Sequence, residues 1–415
     1  MRTIEEQCKL AWEATGFLRT VSTGVKNDAL KKMAAALRTN ATLIITENKK
    51  DLESGKTAGL SDALIDRLRL TEARIESMAQ GLEVILNLAD PVGEITSGSV
   101  RPNGLKIRQV RVPIGVIGII YEARPNVTSD VVGLCIKSGN AVVLRGSSSA
   151  ENSNQIIAKL LQEAAQAAGI PANAIQLLDD LTRESVKTLV TCNQYLDLVI
   201  PRGSETLIKS VIQNATVPAI ETGSGNCHVY IDNEADLDQA IAIAINAKVS
   251  RPSVCNSCET ILIHSAVANH VAPQLFSALQ AKGVEIRGCS RSKAIDPKII
   301  SVTDDDFQTE FLDLIVAIRI VDSIDDAIAH IQKYSTRHSE AIVTQNIAKA
   351  TKFTTEIDAA CVLVNASTRF TDGGEFGLGA EMGISTQKLH ARGPFGLKEL
   401  TSLKYIVNGQ GQIRE

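Results

Sequence analysis

The chain has 415 residues, 44% of them hydrophobic and 22% charged, with a formal net charge of −4. That length and balance suit a globular enzyme of two large lobes, not a disordered chain. The slightly acidic charge gives no basic surface for nucleic acid, and aromatics at 3% leave few stacking platforms for single strands.

The N-terminus, Met1-Arg-Thr-Ile-Glu-Glu-Gln-Cys8, mixes both charge signs and lacks the apolar core of a signal peptide. The longest apolar run, Val112 to Ile120, is far too short for a membrane span. Eight cysteines without an export signal read as reduced thiols, so the expected location is cytoplasmic.

Residues 1 to about 97 repeat Ala, Leu, Lys and Glu at three- and four-residue spacing, as in Ala29–Leu37, and are predicted helical. At Ser97 the pattern changes. Ser99–Val112 alternates apolar and polar residues around Pro102-Asn-Gly104, which predicts a β-hairpin projecting toward another subunit. From 113 onward, short β-rich runs (Gly115–Ile120, Ala141–Leu144, Ile175–Leu178, Leu196–Ile200) alternate with helical stretches such as Gln155–Ala168. A second series comprises His228–Ile231, Thr260–Ile263, Val284–Arg287, Ile315–Ile320, Ala341–Thr344 and Cys361–Val364. This is the βαβ pattern of parallel sheets covered by helices, divided near residue 225 into two α/β lobes. Residues 372–396 hold Gly373, Gly374, Gly377, Gly379, Gly383, Gly393 and Gly396 and read as a long site-shaping loop. Leu400–Val407 is expected to be a strand that pairs with the ribbon of a neighbouring subunit.

No Gly-x-Gly-x-x-Gly follows any strand, so the usual dinucleotide fingerprint is missing. Two strand-to-helix junctions offer anion sites instead: Arg145-Gly-Ser-Ser-Ser149 and Pro201-Arg-Gly-Ser204, the latter opening a helix over Thr206–Gln213. By spacing alone, the first reading of both is an ordinary turn with a capping serine. Among the cysteines, Cys135, Cys192, Cys289 and Cys361 lie in apolar runs and are expected to be buried. Cys255 lies in a polar, small-residue segment, Ser250-Arg-Pro-Ser-Val-Cys255, and is the candidate nucleophile. Cys255-Asn-Ser-Cys258 is a lone Cys-x-x-Cys, and Cys227 and His228 have no partner at a familiar spacing, so no metal site is expected. Cys258 reads as a second thiol able to close an inactivating disulfide with Cys255.

Five segments occur in order along nearly the whole chain: Val112–Val127, Glu221–His228, Arg251–Asn256, His338–Ile342 and Glu375–Arg392. On these the chain resembles the aldehyde dehydrogenase superfamily and, within it, the γ-glutamyl phosphate reductases. The resemblance implies an aldehyde-dehydrogenase-like α/β fold with two Rossmann-like lobes, for cofactor and catalysis, and a small β oligomerisation element. It places the cofactor domain at 1–97 and 113–224, the catalytic domain at 225–397, and the oligomerisation element at 98–112 and 398–415. It implies NADPH-dependent reduction of L-glutamyl 5-phosphate to L-glutamate 5-semialdehyde through a cysteine thioester. A hydrolytic aldehyde dehydrogenase for a small aldehyde is the rival reading.

Carried over by position, Cys255 matches the catalytic thiol and Asn126 the amide that helps hold the oxyanion. Glu221 falls where hydrolytic relatives keep a general base; here it reads as a positional remnant, a proton acceptor for Cys255 or a substrate contact. Arg145, Ser147 and Ser148 fall at the adenosine ribose, Gly203 and Ser204 near the pyrophosphate, and Glu310 at the nicotinamide ribose. Arg145 with Ser148, where NAD-preferring relatives carry a glutamate, favours the 2′-phosphate of NADP. Arg124 and Arg251 are candidates for the substrate phosphate, and Gln387, His390 and Arg392 for its amino-acid head group. The implied assembly is a homodimer or homotetramer, and the acyl phosphate would come from a separate glutamate 5-kinase.

Overall fold

The computed structural model describes residues 2–414. Five helices open the chain: α1 (Ile4–Leu18), α2 (Thr23–Thr39), α3 (Ala41–Thr57), α4 (Asp62–Leu68) and α5 (Glu72–Asn87). There follow β1 (Ile95–Val100), β2 (Lys106–Pro113), β3 (Val116–Tyr121), α6 (Asn126–Lys137), β4 (Ala141–Arg145), α7 (Glu151–Ala167), β5 (Ile175–Leu177), α8 (Arg183–Val190), β6 (Leu198–Arg202) and α9 (Glu205–Asn214). The next stretch holds β7 (Cys227–Ile231), α10 (Leu237–Val249), β8 (Cys258–His264), α11 (Ser265–Ala281), β9 (Glu285–Gly288), α12 (Ser290–Ile295) and β10 (Ile300–Ser301). It continues through β11 (Ile315–Val321), α13 (Ile324–Tyr334), β12 (Ser339–Val343), α14 (Ile347–Glu356) and β13 (Cys361–Val364). The chain ends with β14 (Gly383–Ser385), β15 (Gly393–Phe395) and β16 (Thr401–Asn408).

The chain forms two compact units. The first contains 2–222, Leu378–Gly383 and 395–414; the second contains Gly223–Gly377 and Ile384–Pro394. The division therefore falls at 222/223, and the ribbon strands lie within the first unit. Residues 378–383 and 395–397 also belong to the first unit, whereas the sequence reading placed them in the catalytic domain.

In the first unit, β5-β4-β3-β6 form a parallel sheet. Every residue of β3 is buried, which is why this strand reads as a continuous apolar run and not as an alternation. The strand order reverses between β3 and β6, so the carboxyl ends of those two strands form the crevice where such sheets bind ligands. The opening helix is fixed by a capping box, Thr3 and Glu6 each satisfying the other's backbone N–H. The ribbon predicted at 98–112 is an antiparallel hairpin of β1 and β2. The C-terminal strand β16 pairs antiparallel with β2 of its own chain, from Thr401↔Pro113 to Asn408↔Lys106, so the ribbon it joins on that edge is its own. Eight consecutive partners satisfy the free edge of β2 within the subunit.

In the second unit, seven strands form a sheet in the order β10-β9-β11-β8-β7-β12-β13, with the pairings around β7, β8, β11 and β12 all parallel. Period-two geometry sorts its side chains. Val229, Ile231, Ile261 and Ile263 face a layer containing Ala244, Val271 and Leu275 of α10 and α11. Tyr230, Leu262 and Ile342 face Ile328, Ile331 and Phe353 of α13 and α14. Each such aliphatic or aromatic burial stabilises by roughly 1.5–3 kcal/mol relative to exposure.

The glycine-rich loop is not wholly irregular, since β14 and β15 pair within it. Among the described residues, no helix is long and apolar enough to cross a membrane.

Candidate active site

Cys255 lies in the turn between the end of α10 and the start of β8, at the amino end of the second unit's sheet. The turn is pinned from several directions. Ser257 N–H donates to the Val254 carbonyl (3.0 Å), and Ser257 Oγ donates to the Ala247 carbonyl (3.4 Å). Asn256, buried, donates from Nδ2 to the Thr371 carbonyl (2.9 Å) and accepts at its own carbonyl from Thr368 Oγ1 (2.7 Å). Cys227 Sγ, at the start of β7, donates to the Cys255 carbonyl (3.2 Å). Cys255 itself is half-buried, and its backbone is fixed.

Gly225 makes this packing feasible. A Cβ there would stand 1.4 Å from the Cys255 carbonyl oxygen and 2.7 Å from its Cα, so only a residue without a side chain lets the 223–227 strand lead-in press on the nucleophile's backbone. Gly225 N–H in turn donates to Glu310 Oε1 (2.7 Å). Of the predicted residues, Cys255, Arg251 and Glu310 thus come together in the second unit. Sequence reasoning missed Gly225, although it lies inside the Glu221–His228 segment.

Behind the turn is a buried polar layer. Lys248 Nζ donates to Glu259 Oε2 (2.6 Å), with both side chains fully buried. Burial pushes the Glu259 carboxyl up to about 7, while the lysine pulls it back. His228 Nδ1 lies 2.9 Å from Glu340 Oε2. His338 Nδ1 lies 3.7 Å from Cys227 Sγ, and burial lowers this imidazole to about 4, so it is neutral at physiological pH.

The cysteine expectations need two corrections. Cys192, Cys289 and Cys361 are only half-buried, while Cys8, Cys227 and Cys258 join Cys135 in the interior. Cys258 begins β8 with its side chain in the core, donating to the Thr260 carbonyl (3.2 Å), and burial pushes its thiol well above the ordinary range. A core thiol of this kind is not poised for disulfide formation, and the thiol in contact with Cys255 is Cys227. Among the described residues, no group of three or more His, Cys, Asp or Glu side chains is arranged to hold a metal.

The remaining candidates near the sheet of the first unit cluster at the carboxyl ends of β3, β4 and β6. The chain leaves β3 through Ala123, whose φ of 33° is rare for a residue with a side chain, and then Arg124. Such strain is held only where surrounding structure enforces it, and it delivers Asn126 to the first turn of α6. Asn126 is exposed, and its Nδ2 donates to Asp130 Oδ2 (3.1 Å). Burial raises the half-buried Asp130 to about 6, against the pull of Asn126 and Arg202. Asp130 was not anticipated, although its i, i+4 spacing from Asn126 on a helix was a usable signal.

Gly203 and Ser204 open α9, and Ser204 caps it by accepting from Leu207 N–H (3.4 Å). Ser204 N–H donates to Glu122 Oε2 (2.7 Å), so a carboxylate already sits at this helix start as a stand-in anion. A Cβ at Gly203 would meet the same carboxylate at 2.5 Å.

Arg145 is more committed than its sequence position suggests. Nε donates to Ser185 Oγ (3.2 Å), Nη1 to the Gly146 carbonyl (3.3 Å), and Nη2 to the Leu181 (2.7 Å) and Thr182 (2.9 Å) carbonyls. Its guanidinium is a strut between β4 and the start of α8. Ser147 Oγ bonds Ser149 Oγ (2.6 Å), and Ser148 is exposed.

Glu221 is half-buried in the first unit, where its charge acts on Lys209. In the second unit, Arg392 Nη2 pairs with Asp358 Oδ1 (2.7 Å), whose carboxyl Lys388 and Arg392 hold down to about 2. Gln387 Nε2 donates to the Leu389 carbonyl (2.7 Å), and His390 is exposed in the left-handed region at φ 64°.

The aldehyde dehydrogenase family model matches residues 2–286. The chain belongs to the aldehyde dehydrogenase family. It is similar to the γ-glutamyl phosphate reductase of Moorella thermoacetica, with 57% identity over 412 residues covering 99% of each chain. The γ-glutamyl phosphate reductase of Halothermothrix orenii is 56% identical over 409 residues, covering 99% of this chain and 98% of the relative. The crystal structure of the γ-glutamyl phosphate reductase from Thermotoga maritima superposes with a TM-score of 0.97 at 48% identity, covering 99% of each chain. Family membership makes this an oxidoreductase that works with a nicotinamide cofactor, and confirms the aldehyde-dehydrogenase-like α/β fold expected from the sequence.

Proposed function

We propose that the protein reduces L-glutamyl 5-phosphate to L-glutamate 5-semialdehyde with release of phosphate, the second step of proline biosynthesis from glutamate. The observation that carries this reading is the half-buried Cys255 on a turn whose backbone is clamped by Gly225 and Asn256. Similarity over nearly the full chain to γ-glutamyl phosphate reductases supports it and disfavours a hydrolytic aldehyde dehydrogenase.

The Cys255 thiolate attacks the acyl carbon, a C–S bond forms, and phosphate departs with the electrons of the C–O bond. Asn126 supplies an amide N–H to the oxyanion of the tetrahedral species. Bound NADPH supplies the hydride that takes the acyl group to the aldehyde level. Cys255 then leaves as thiolate when the semialdehyde is released.

The cofactor fits the residues present. The start of α9 already accepts an anion, the Glu122 carboxylate, which a phosphate would displace from Ser204 N–H. Preference for NADPH rests on the positive charge of Arg145 and the absence of a carboxylate at Ser148, since the arginine's hydrogen bonds are largely spent internally. Glu310, Ser147 and Gly203 complete the cofactor set. Arg124 and Arg251 serve the phosphate side of the substrate, and Gln387, His390 and Arg392 its head group.

A second copy of the chain is the proposed partner. On one face of the β1-β2-β16 sheet, β16 exposes Leu403, Tyr405 and Val407, an apolar row suited to a symmetric contact. A separate kinase would supply the labile acyl phosphate, and the cytoplasm is the proposed location.

The test runs the reaction backwards. Semialdehyde-dependent NADP⁺ reduction should require phosphate, saturate with it, and accept arsenate in its place. Equal turnover without either anion would establish hydrolytic chemistry instead.

A further inference from the structure

The short 3₁₀ turn Thr368–Phe370, after β13, is bound to the residue next to the nucleophile. Thr368 Oγ1 donates to the Asn256 carbonyl (2.7 Å), and Asn256 Nδ2 reaches the carbonyls of Arg369 (3.4 Å) and Thr371 (2.9 Å). These backbone bonds bring Arg369 to the Cys255 turn from a point 113 residues beyond Asn256. Its Nε is buried and has no hydrogen-bond partner. An unmade bond on a buried guanidinium nitrogen is costly, and native structures rarely leave one without a role.

The charges around it sharpen the point. Burial and the Arg251 guanidinium both disfavour the charge on Arg369, whereas Asp372, Cys255 and Cys227 favour it. Arg369 thus lies within electrostatic reach of both Cys255 and the Arg251 guanidinium, and neither arginine forms an ion pair among the described residues. The facing carboxylate, Asp372, is engaged by its own turn, accepting at Oδ1 from Gly374 N–H (2.8 Å) and Glu375 N–H (3.3 Å). Like charges held together without a paired carboxylate call for an anion from outside. Planar N–H forks suit the oxygens of a phosphate.

We propose that Arg369, together with Arg251, holds the phosphate of the acyl phosphate beside Cys255 and stays on it as it leaves. This rests on the acyl-phosphate reading above. As the thiolate forms the C–S bond, the C–O bond breaks and its electron pair passes to the phosphate. The guanidiniums meet a growing negative charge and bind it more strongly in the transition state than in the ground state. In the reverse direction the same pair orients inorganic phosphate to attack the thioester.

The probe is inorganic phosphate, varied in semialdehyde-dependent NADP⁺ reduction. Arg369→Gln preserves the backbone carbonyl that Asn256 contacts, so the turn should survive. It should raise KM for phosphate by ~10–100-fold, the loss expected for a charge-assisted bond. KM for semialdehyde and for NADP⁺ should stay near wild type, and Arg369→Lys should fall between. Arg251→Gln, at an exposed position, should raise the phosphate KM in the same selective way. An unchanged phosphate KM in Arg369→Gln would overturn the assignment. So would a rise confined to NADP⁺, which would make the anion a cofactor phosphate, or a parallel rise in all three constants with a lowered Tm. Wild-type turnover that ignores phosphate would instead refute the acyl-phosphate reading itself.

Discussion

Gly225→Ala should fold to a weakened protein with at least ~10²-fold lower kcat, although position 225 carries no functional group. The added Cβ has no room: it would lie 1.4 Å from the Cys255 carbonyl oxygen, where contact needs more than twice that separation. Backbone and not side chain is in the way, so rotamer adjustment cannot relieve the clash. Either the 223–227 segment withdraws, losing the Gly225 N–H bond to Glu310, or the Cys255 turn moves off its clamps at Asn256 and Cys227. Displacement of about 1 Å in a reacting group costs on the order of 10²-fold, and overpacking adds about 1–3 kcal/mol of destabilisation. Steady-state kinetics with a thermal melt check both parts. Wild-type kcat in this variant would show that the Cys255 backbone need not be held here.

Asn126→Ala should lose ~10²–10³ in kcat with little loss of stability. The residue is exposed and its side chain makes one bond, to Asp130, so its removal leaves the fold of α6 intact. An ionised Asp130 can only accept, which forces the amide to present nitrogen to it and leaves the second N–H for the oxyanion. With Asp130 raised to about 6, this orientation is secured above that pH and relaxes below it, when the protonated carboxyl can also donate. The wild-type kcat should therefore fall as pH drops through about 6. In Asp130→Asn that limb should disappear, and a limb retained there would assign the titration to another group.

Much of the fold was legible because the signals were local. The buried parallel strands β3 and β4 announce themselves as unbroken apolar runs, and the turn at Pro102-Asn-Gly104 marks the hairpin. Cys255 stood out from other thiols by its polar, small-residue neighbours. Which thiols are buried was harder to read, because the hydrophobicity of a run does not say which way a side chain points: Cys227 and Cys258 begin strands and turn inward. The pairing of β16 with β2 of its own chain was not legible for a related reason. An alternating strand specifies that an edge will be satisfied, not whether the edge belongs to its own chain. Arg369 carried no local signal at all, since its place beside the nucleophile is made by Asn256 and Thr368 meeting across the folded unit. Arg145 was legible only in part: its position suggested a ligand contact, but nothing local announced that its hydrogen bonds also serve the fold.

The central claim is that Cys255 forms an acyl thioester that phosphate, not water, discharges. It is tested most directly by incubating the protein with semialdehyde and NADP⁺ in the absence of phosphate, followed by mass analysis of the peptide bearing Cys255. One glutamyl group should accumulate on that thiol with a single burst of NADPH, and added phosphate should remove it and restore turnover; Cys255→Ala should show neither burst nor label. Continuous turnover without phosphate, or a glutamyl label on any other residue, would contradict the account.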